Sequence, residues 1–227
     1  MRGVTEAINL VAASYGHTFI EEGDDILISC LEHHSNIVPW QWVCKRKNAN
    51  LKIIPITDEG EIDIEGFADL LSTRTKLVAI NHASNALGTI NPIKEIIRLA
   101  HGSGAVVLID GAQSGAHVSI DVQDLECDFY CLSAHNMYGP TGVGILYGKK
   151  KWLEAMPPYQ GGGEMIREVS FSETSYNDLP YKFESGTPNI ADVIAFRHAI
   201  EFILQIGQDN IKLYERELLY SVTEKLQ

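Results

Sequence analysis

The sequence has 227 residues, of which 45% are hydrophobic and 21% are charged, and these values are ordinary for a globular protein with a buried core. Its formal net charge of −12 disfavours nucleic-acid binding, because an acidic surface repels a phosphate backbone. No apolar run reaches membrane-spanning length and no signal peptide is visible, so we expect a cytoplasmic protein with neither a membrane nor a nucleic acid as partner.

Apolar strands alternate with helices over the first part of the chain. Periodicity and turn residues predict, in chain order, a helix at about 6–15, a strand at 25–30, a helix at 36–45, a strand at 51–56, a helix at 64–71 and a strand at 76–81. We then expect a helix that Asn91 caps, with Pro92 at its first position and Gly102 and Gly104 at its end. Strands follow at 105–109, 129–132 and 143–147. This alternation predicts a mostly parallel sheet that is buried on both faces.

The pattern changes after Pro157 and Pro158. The QGGG run at 160–163 predicts a mobile glycine loop, and 167–186 forms a long polar connection of a kind that is often functional. Two helices at about 191–206 and 209–226 close the chain.

The four cysteines give no zinc-binding spacing and no disulfide framework. They form no CxxC pair, and we interpret them as buried thiols of a reducing compartment. Their positions are Cys30, Cys44, Cys127 and Cys131.

Polar and titratable side chains follow four of the predicted strands, and parallel sheets bind their ligands at the carboxyl ends of the strands. One such residue alone is more often structural than catalytic, but four groups at one edge favour a binding site. The groups are Glu32, His33 and His34; His82, Ser84 and Asn85; Asp110 and Gln113; and Ser133, His135 and Asn136.

Several of these side chains have a chemical role available. Asp110 ends a buried strand, where a carboxylate needs a cationic partner such as a pyridinium nitrogen, unless it caps the next helix. Thr5 opens a helix whose first free N–H groups suit a phosphate dianion, and Ser133 and His135 offer further donors. The imidazole of His33 suits stacking on an aromatic ring.

A metal site is the alternative interpretation of the histidines. It lacks the fixed i, i+3 or i, i+4 helical spacing that makes such a prediction specific, so we expect no metal. The ligands in that interpretation would be His33, His34, His82 and His135.

Six separated motifs resemble, in order and spacing, those of the class V aminotransferase-fold cysteine desulfurases, and in particular their group II, the SufS-like and CsdA-like branch. Selenocysteine lyases of the same branch share much of the set. The resemblance covers nearly the whole chain, and the motifs are RGVTEAINLVA, EHHSNIVPWQ, NHASNALGTINP, IDGAQS, CDFYCLSAHNMYGPTGVGILYG and FESGTPN.

The resemblance implies an α/β fold, the large domain of a fold type I transferase that depends on pyridoxal 5′-phosphate (PLP), with a mostly parallel seven-stranded sheet flanked by helices. Residues 1–190 then form the PLP-binding large domain, incomplete at its N-terminus, and residues 191–227 are helices that lead toward a truncated C-terminal small domain. The implied protein is a homodimer that converts L-cysteine into L-alanine and an enzyme persulfide. An acceptor protein takes the sulfur for iron–sulfur cluster assembly, and selenocysteine is the alternative substrate.

The resemblance also implies roles for individual residues around the cofactor. Thr5, Ser133 and His135 bind the phosphate. His33 stacks on the pyridine ring, and Asp110 pairs with the pyridinium nitrogen.

Asn85 and Gln113 contact the region of the phenolic oxygen in this resemblance, and Thr187 reaches the phosphate of the partner subunit's cofactor. The family motif S-G-H-K reads S-A-H-N here, so Asn136 stands where the lysine that forms the Schiff base is expected. An amide nitrogen is delocalised and does not condense with an aldehyde, so we expect PLP to be bound noncovalently at most.

Other departures concern the two ends of the chain. The persulfide-forming cysteine and the arginine that grips the substrate carboxylate belong to a C-terminal region that we expect to be missing, as is an N-terminal segment. Val4 also stands where the resemblance implies a second hydroxyl residue. We therefore expect little or no desulfurase turnover. The open explanations are a partial or degraded gene copy, an incomplete sequence, an engineered lysine replacement, and a non-catalytic protein that keeps the PLP fold as a binding or dimerisation module.

Overall fold

Six strands form the main sheet of the computed structural model, which describes residues 1–226. The strands are β1 (Asp25–Ser29), β2 (Asn50–Ile54), β3 (Thr75–Asn81), β4 (Val106–Asp110), β5 (Phe129–Ser133) and β6 (Gly144–Gly148). They lie in the order β2-β1-β3-β4-β5-β6, with parallel pairing up to β5 and an antiparallel pair between β5 and β6. The mostly parallel sheet is therefore confirmed, although the described residues give it six strands where the resemblance implies seven.

Helices connect these strands and cover the sheet. They are α1 (Val4–Phe19), α2 (Val38–Lys47), α3 (Ile64–Leu70), α4 (Ile93–Gly102), α5 (Val122–Leu125), α6 (Lys150–Ala155), α7 (Ile190–Ile206) and α8 (Gln208–Leu226). The sequence does not predict α5 and α6, because helices of four and six residues are too short to establish an apolar period. Position 227, the last of the segment expected to lead toward a small domain, lies outside the described residues.

Alternate residues of each central strand enter opposite layers of the core, because successive side chains of a strand point to opposite faces. Ile26 and Ile28 of β1 pack with α1 and α2 on one face, whereas Leu27 packs with α3 and α4 on the other. Strands β3 and β4 divide their side chains between the two layers in the same way. Burial on both faces explains why these strands are continuous apolar runs.

The start of α4 differs from the sequence prediction. The helix begins at Ile93 and Pro92 occupies the capping position, so the prediction that Asn91 caps it is wrong. The buried Asn91 amide instead donates to the backbone oxygen of Asn81 at 2.9 Å and to its Oδ1 at 2.7 Å. Through these two hydrogen bonds, Asn91 anchors the loop before α4 to the end of β3.

The long polar connection at 167–186 contains regular structure that its composition conceals. Strands β7 (Ile166–Val169) and β8 (Thr174–Tyr176) form an antiparallel hairpin, and a 3-10 turn follows at Tyr181–Phe183. Most side chains of the hairpin are exposed, so no alternation between apolar and polar residues marks it.

No helix in the described part of the chain combines the length and the apolar character that a membrane crossing requires.

Two tryptophans of α2 provide a matched test of the core. Trp40 is 0% exposed and its Nε1 donates to Asn36 Oδ1, whereas Trp42 is 52% exposed. Trp40→Ala is expected to lower the free energy of unfolding by about 3–5 kcal/mol, because it leaves a cavity. Trp42→Ala is expected to change it by less than about 0.5 kcal/mol, as at other exposed positions. Urea denaturation measures both, and equal effects would contradict this packing.

Candidate functional site

A cavity of about 630 Å³ lies at the carboxyl edge of the sheet, where β1, β3, β4 and β5 end and α1 begins. This is the edge at which the sequence places a binding site. The predicted site residues that line the cavity are Thr5, His33, Asn85, Asp110, Gln113, Ser133, His135 and Asn136. Thr187 lies apart from them, exposed on the loop before α7.

The N-terminus of α1 forms one end of the cavity. Ser133 Oγ, at the end of β5, accepts the backbone N–H of Val4 at 2.8 Å. The N–H groups of Thr5 and Glu6 have no acceptor among residues 1–226, so they are available to an anion at a helix N-terminus. The Glu6 carboxylate is held beside them by the backbone N–H of Arg2 at 2.5 Å.

Close backbone packing fixes this helix end against β5 and β6. A Cβ atom on Gly144 would overlap the backbone of Gly3, and a Cβ atom on Gly3 would lie 3.0 Å from Ser133 Oγ. The N–H of Gly144 also donates to the oxygen of Met1 at 2.6 Å. Glycine at both positions therefore permits the approach that brings the start of α1 to the cavity.

Asp110 supplies a buried carboxylate at the end of β4. Its Oδ1 accepts the N–H of Ala112 at 2.9 Å, and no helix follows until α5 begins at Val122, so the alternative that Asp110 caps a helix is wrong. Burial raises the pKa of this carboxyl, against lowering effects of the Ala112 hydrogen bond and the charge of His33. A cation in the cavity would stabilise the ionised form.

His33 stands at the start of a short 3-10 turn, His34–Asn36. The backbone N–H of Ser35 donates to His33 Nδ1 at 3.2 Å, and the Ser35 hydroxyl lies 2.9 Å from the same nitrogen. A ring nitrogen that accepts an N–H carries no proton, so the neutral His33 ring is protonated on Nε2.

Several polar side chains of the cavity make no hydrogen bond to another described residue. A folded protein usually satisfies such groups with protein, water or a ligand, so this set is free to contact a polar ligand. The side chains are those of Thr5, Asn85, Gln113, His135 and Asn136.

Other residues of the strand-end groups do not line the cavity. His82 is buried, and its Nδ1 lies 2.7 Å from the hydroxyl of Tyr130, which in turn lies 2.7 Å from Ser114 Oγ. Burial lowers the pKa of His82 to about 4. Ser84 accepts two backbone N–H groups of its own turn, Glu32 is buried, and His34 is exposed.

The structure adds lining residues that sequence reasoning missed. Glu6 and Asn9 share the first turns of α1 with Thr5, and Asn9 Nδ2 donates to Thr5 O at 2.8 Å. Asn9 is four residues from Thr5, so helical spacing could have found Asn9, but not Glu6. Tyr159 comes from the loop after α6, and no sequence pattern points to it. Within residues 1–226, no three His, Cys, Asp or Glu side chains converge on a possible metal position.

The sequence pattern of aminotransferase class-V matches residues 1–227. This chain belongs to the aminotransferase class-V family. It is 51% identical to the cysteine desulfurase of Dickeya dadantii and 52% identical to the probable cysteine desulfurase of Halalkalibacterium halodurans. These similarities cover 96% and 99% of this chain but 53% and 55% of the relatives, so the chain spans about half the length of the curated relatives it matches.

Solved structures of similar sequence have the same architecture. The cysteine desulfurase CsdA from Escherichia coli matches with a TM-score of 0.97 at 39% identity, over 99% of this chain and 56% of that chain. A C-DES mutant with glycine covalently linked to its PLP cofactor matches with a TM-score of 0.81 at 25% identity, over 91% of this chain and 55% of that chain. The fold type I assignment is confirmed, and the family implies PLP as the cofactor.

The buried His82 predicts a specific dependence of stability on pH. Its pKa is about 4 in the folded chain against an ordinary 6.5, so the stability it contributes is lost as the pH falls from 6.5 toward 4. His82→Asn keeps an acceptor for Tyr130 and does not titrate. Between pH 7 and pH 4, the free energy of unfolding of the parent is expected to fall by about 3 kcal/mol more than that of this variant.

Urea denaturation at a series of pH values measures this difference. His17→Asn, at an exposed position, is the matched control and should follow the parent at each pH. A His82→Asn curve parallel to that of the parent would contradict the buried neutral state of His82.

Proposed function

We propose that this chain forms the PLP-binding part of a cysteine desulfurase and that, with asparagine at position 136, it holds the cofactor without a covalent link. The observation that carries this proposal is one cavity with two complementary ends. Open N–H groups at the start of α1 suit a phosphate dianion, and the buried carboxylate of Asp110 suits a protonated pyridine nitrogen. Both groups are features of PLP, so the residues present fit this cofactor.

In this proposal Thr5, Ser133 and His135 hold the phosphate together with the free N–H groups of α1. Ser133 already accepts the N–H of Val4 and still has a hydroxyl proton to donate. Its role would thus be double, since it fixes the helix end and contributes to the anion site.

The remaining proposed roles concern the ring. His33 lines the cavity with its Nδ1 engaged by Ser35, which leaves its ring face and its Nε2–H for the ligand. Asn85 and Gln113, whose amides have no partner among residues 1–226, would contact the region of the phenolic oxygen. Asp110 would keep the ring nitrogen protonated.

PLP, when bound, supplies a ring that withdraws electron density from the α-carbon of an amino acid. Asn136 lies in the 3-10 turn Ala134–Met137 and lines the cavity. The resemblance assigns the Schiff-base lysine to this position. Its amide neither condenses with an aldehyde nor accepts a proton near neutral pH. General acid–base catalysis is worth roughly 10²–10⁴-fold, so we infer turnover reduced by at least this factor.

The cysteines support the same inference. A persulfide forms on a thiolate, and none of the cysteines lines the cavity that the described residues form. Burial raises the pKa of Cys44 to about 11 and that of Cys127 to about 12, so their reactive forms are disfavoured. All four cysteines are free thiols, which supports our proposal of a reducing, cytoplasmic setting. Cys30 is exposed, so the prediction that all four thiols are buried is wrong for this residue.

Exposed apolar side chains on α7 and α8 support a further contact surface. Leu204, Leu219 and Tyr220 are each about 70% exposed, and apolar patches of this kind mark interfaces. We propose that residues 1–190 form the large domain of a homodimer, with Thr187 reaching the phosphate of the partner subunit's cofactor. We further propose that helices α7 and α8 lead toward a small domain. A non-catalytic PLP-binding module and a degraded desulfurase copy are the alternatives for this chain, and selenocysteine is the alternative substrate of the whole protein.

Removing the charge of Asp110 tests the cofactor assignment. Asp110→Asn is expected to weaken PLP binding by about 10–100-fold, because a charge-assisted contact to the ring nitrogen is lost. Titration of the purified chain with PLP, followed by absorbance, measures the affinity. Asp124→Asn is the matched control, since Asp124 lies on the surface in an ion pair with Lys94 and should leave the affinity unchanged. A parent chain that retains no PLP after gel filtration would refute the proposal and favour the degraded copy.

Restoring the amine at position 136 tests the missing covalent link. Asn136→Lys is expected to bind PLP so that borohydride reduction attaches one cofactor, which intact-mass spectrometry detects. Asn136→Met offers a side chain of similar length without an amine and should gain no mass. A stoichiometric adduct on the parent chain would contradict noncovalent binding, and alanine release from cysteine above a PLP-only blank would contradict the loss of turnover.

A further inference from the structure

Glu32 is a buried carboxylate that precedes His33 in the chain, and none of the proposed cofactor contacts uses it. Its Oε1 accepts the hydroxyl of Ser29 at 2.5 Å, the backbone N–H of Asn81 at 3.0 Å and Asn81 Nδ2 at 3.2 Å. Its Oε2 accepts Asn36 Nδ2 at 2.6 Å. One carboxylate therefore joins the ends of β1 and β3 to the 3-10 turn His34–Asn36.

The orientation of the Asn36 amide is fixed from both sides. Its Nδ2 donates to Glu32, and its Oδ1 accepts the indole N–H of Trp40 at 2.9 Å. Trp40 is fully buried in the core. The turn that contains Asn36 is thus connected through hydrogen bonds both to the sheet and to the interior of the protein.

The same turn determines the tautomer of the neutral His33 ring. The backbone N–H of Asn36 donates to His33 O at 2.8 Å, and the N–H of Ser35 donates to His33 Nδ1 at 3.2 Å. The position of Asn36 therefore sets the position of the Ser35 N–H, which in turn fixes the neutral ring as the Nε2–H tautomer.

We propose that Glu32 is a positioning residue for His33, because its carboxylate ties the turn that orients the His33 ring to the end of the neighbouring strand β3. The consequence for the cofactor rests on the proposed function, since His33 contacts PLP only in that proposal. The geometry of the turn does not depend on it.

The network requires an acceptor on both oxygens of residue 32. Burial raises the pKa of Glu32 to about 7, the hydrogen bonds from Ser29, Asn36 and Asn81 lower it, and the nearby Asp110 charge adds a smaller raising effect. Burial thus disfavours the charge of this carboxylate. The four hydrogen-bond donors that converge on it oppose this effect.

Glutamine has the right size but the wrong hydrogen-bonding pattern. In Glu32→Gln, the amide oxygen replaces Oε1 and the amide N–H₂ then faces Asn36 Nδ2, so two donors oppose each other. Asn36 cannot turn over, because its Oδ1 would leave the Trp40 indole. In Glu32→Gln with Asn36→Asp, the glutamine donates to the new carboxylate, which also accepts the indole. The double variant restores the pattern and keeps the net charge.

The first test uses the chain without cofactor. Long-range ¹H–¹⁵N spectra at about pH 8, above the ordinary histidine pKa of ~6.5, report the tautomer of His33. The parent and the double variant are expected to have the Nε2–H pattern, and Glu32→Gln a mixture of both tautomers. If Glu32→Gln does not fold, the double variant decides, and a mixed pattern in it refutes the proposal. An unchanged Nε2–H pattern in folded Glu32→Gln refutes it as well.

The second test is a double-mutant cycle with PLP as the probe. Glu32→Gln is expected to weaken PLP binding about tenfold in the parent, and to have an effect of less than about twofold in a His33→Ala background. The double variant with Asn36→Asp should return to within about threefold of the parent. A tenfold loss that persists in His33→Ala would mean that Glu32 supports the site as a whole and not His33, and would overturn the inference. If the parent does not bind PLP, the proposed function fails and the tautomer measurement alone decides on Glu32.

Discussion

The attachment of the start of α1 to the end of β5 is the constraint on which the site depends. Ser133 Oγ accepts the N–H of Val4 across a sequence separation of 129 residues, and the backbone of Gly3 lies against Gly144. Strand β5 is paired with β4, where Asp110 lies opposite Cys131. Fixing α1 to β5 therefore also fixes the distance between the open helix N-terminus and the Asp110 carboxylate. The two ends of the cavity are therefore preorganised, which reduces the conformational entropy that the protein loses when it binds a ligand.

Buried ionisable groups beside the cavity act on stability in opposite directions. Burial raises the pKa of Glu32 to about 7 from an ordinary 4.5, so the stability that its protonated form contributes is lost as the pH rises from 4.5 to 7. Burial lowers the pKa of His82 from 6.5 to about 4, so its contribution is lost as the pH falls through that window. The two groups offset each other between pH 4.5 and 6.5. A flat pH profile of the parent chain is therefore compatible with two strongly perturbed groups, and variants are needed to separate them.

The sequence predicts the sheet and its binding edge because apolar runs buried on both faces are recognisable and parallel strands end together. Residues at the ends of strands, such as Asp110 and Ser133, were placed correctly for this reason. The sequence does not reveal which neighbour faces the cavity. Glu32 and His33 are adjacent, yet one is buried beneath the turn and the other lines the cavity, because bonds to Asn81 on another strand decide the orientation. Such pairings are long-range, and local periodicity carries no information about them.

Binding and chemistry depend on different parts of this site. The contacts that shape the cavity are made by Ser133, by Asp110 and by the turn after His33, and each is hydrogen-bonded to the protein's own backbone. Asn136 belongs to a turn that is closed by backbone bonds, and its side chain makes no hydrogen bond to another described residue. The side chain at position 136 therefore contributes no hydrogen bond to the described structure. The cavity is therefore shaped without the side chain of Asn136, so in the proposed function the binding contacts remain although the covalent link is absent.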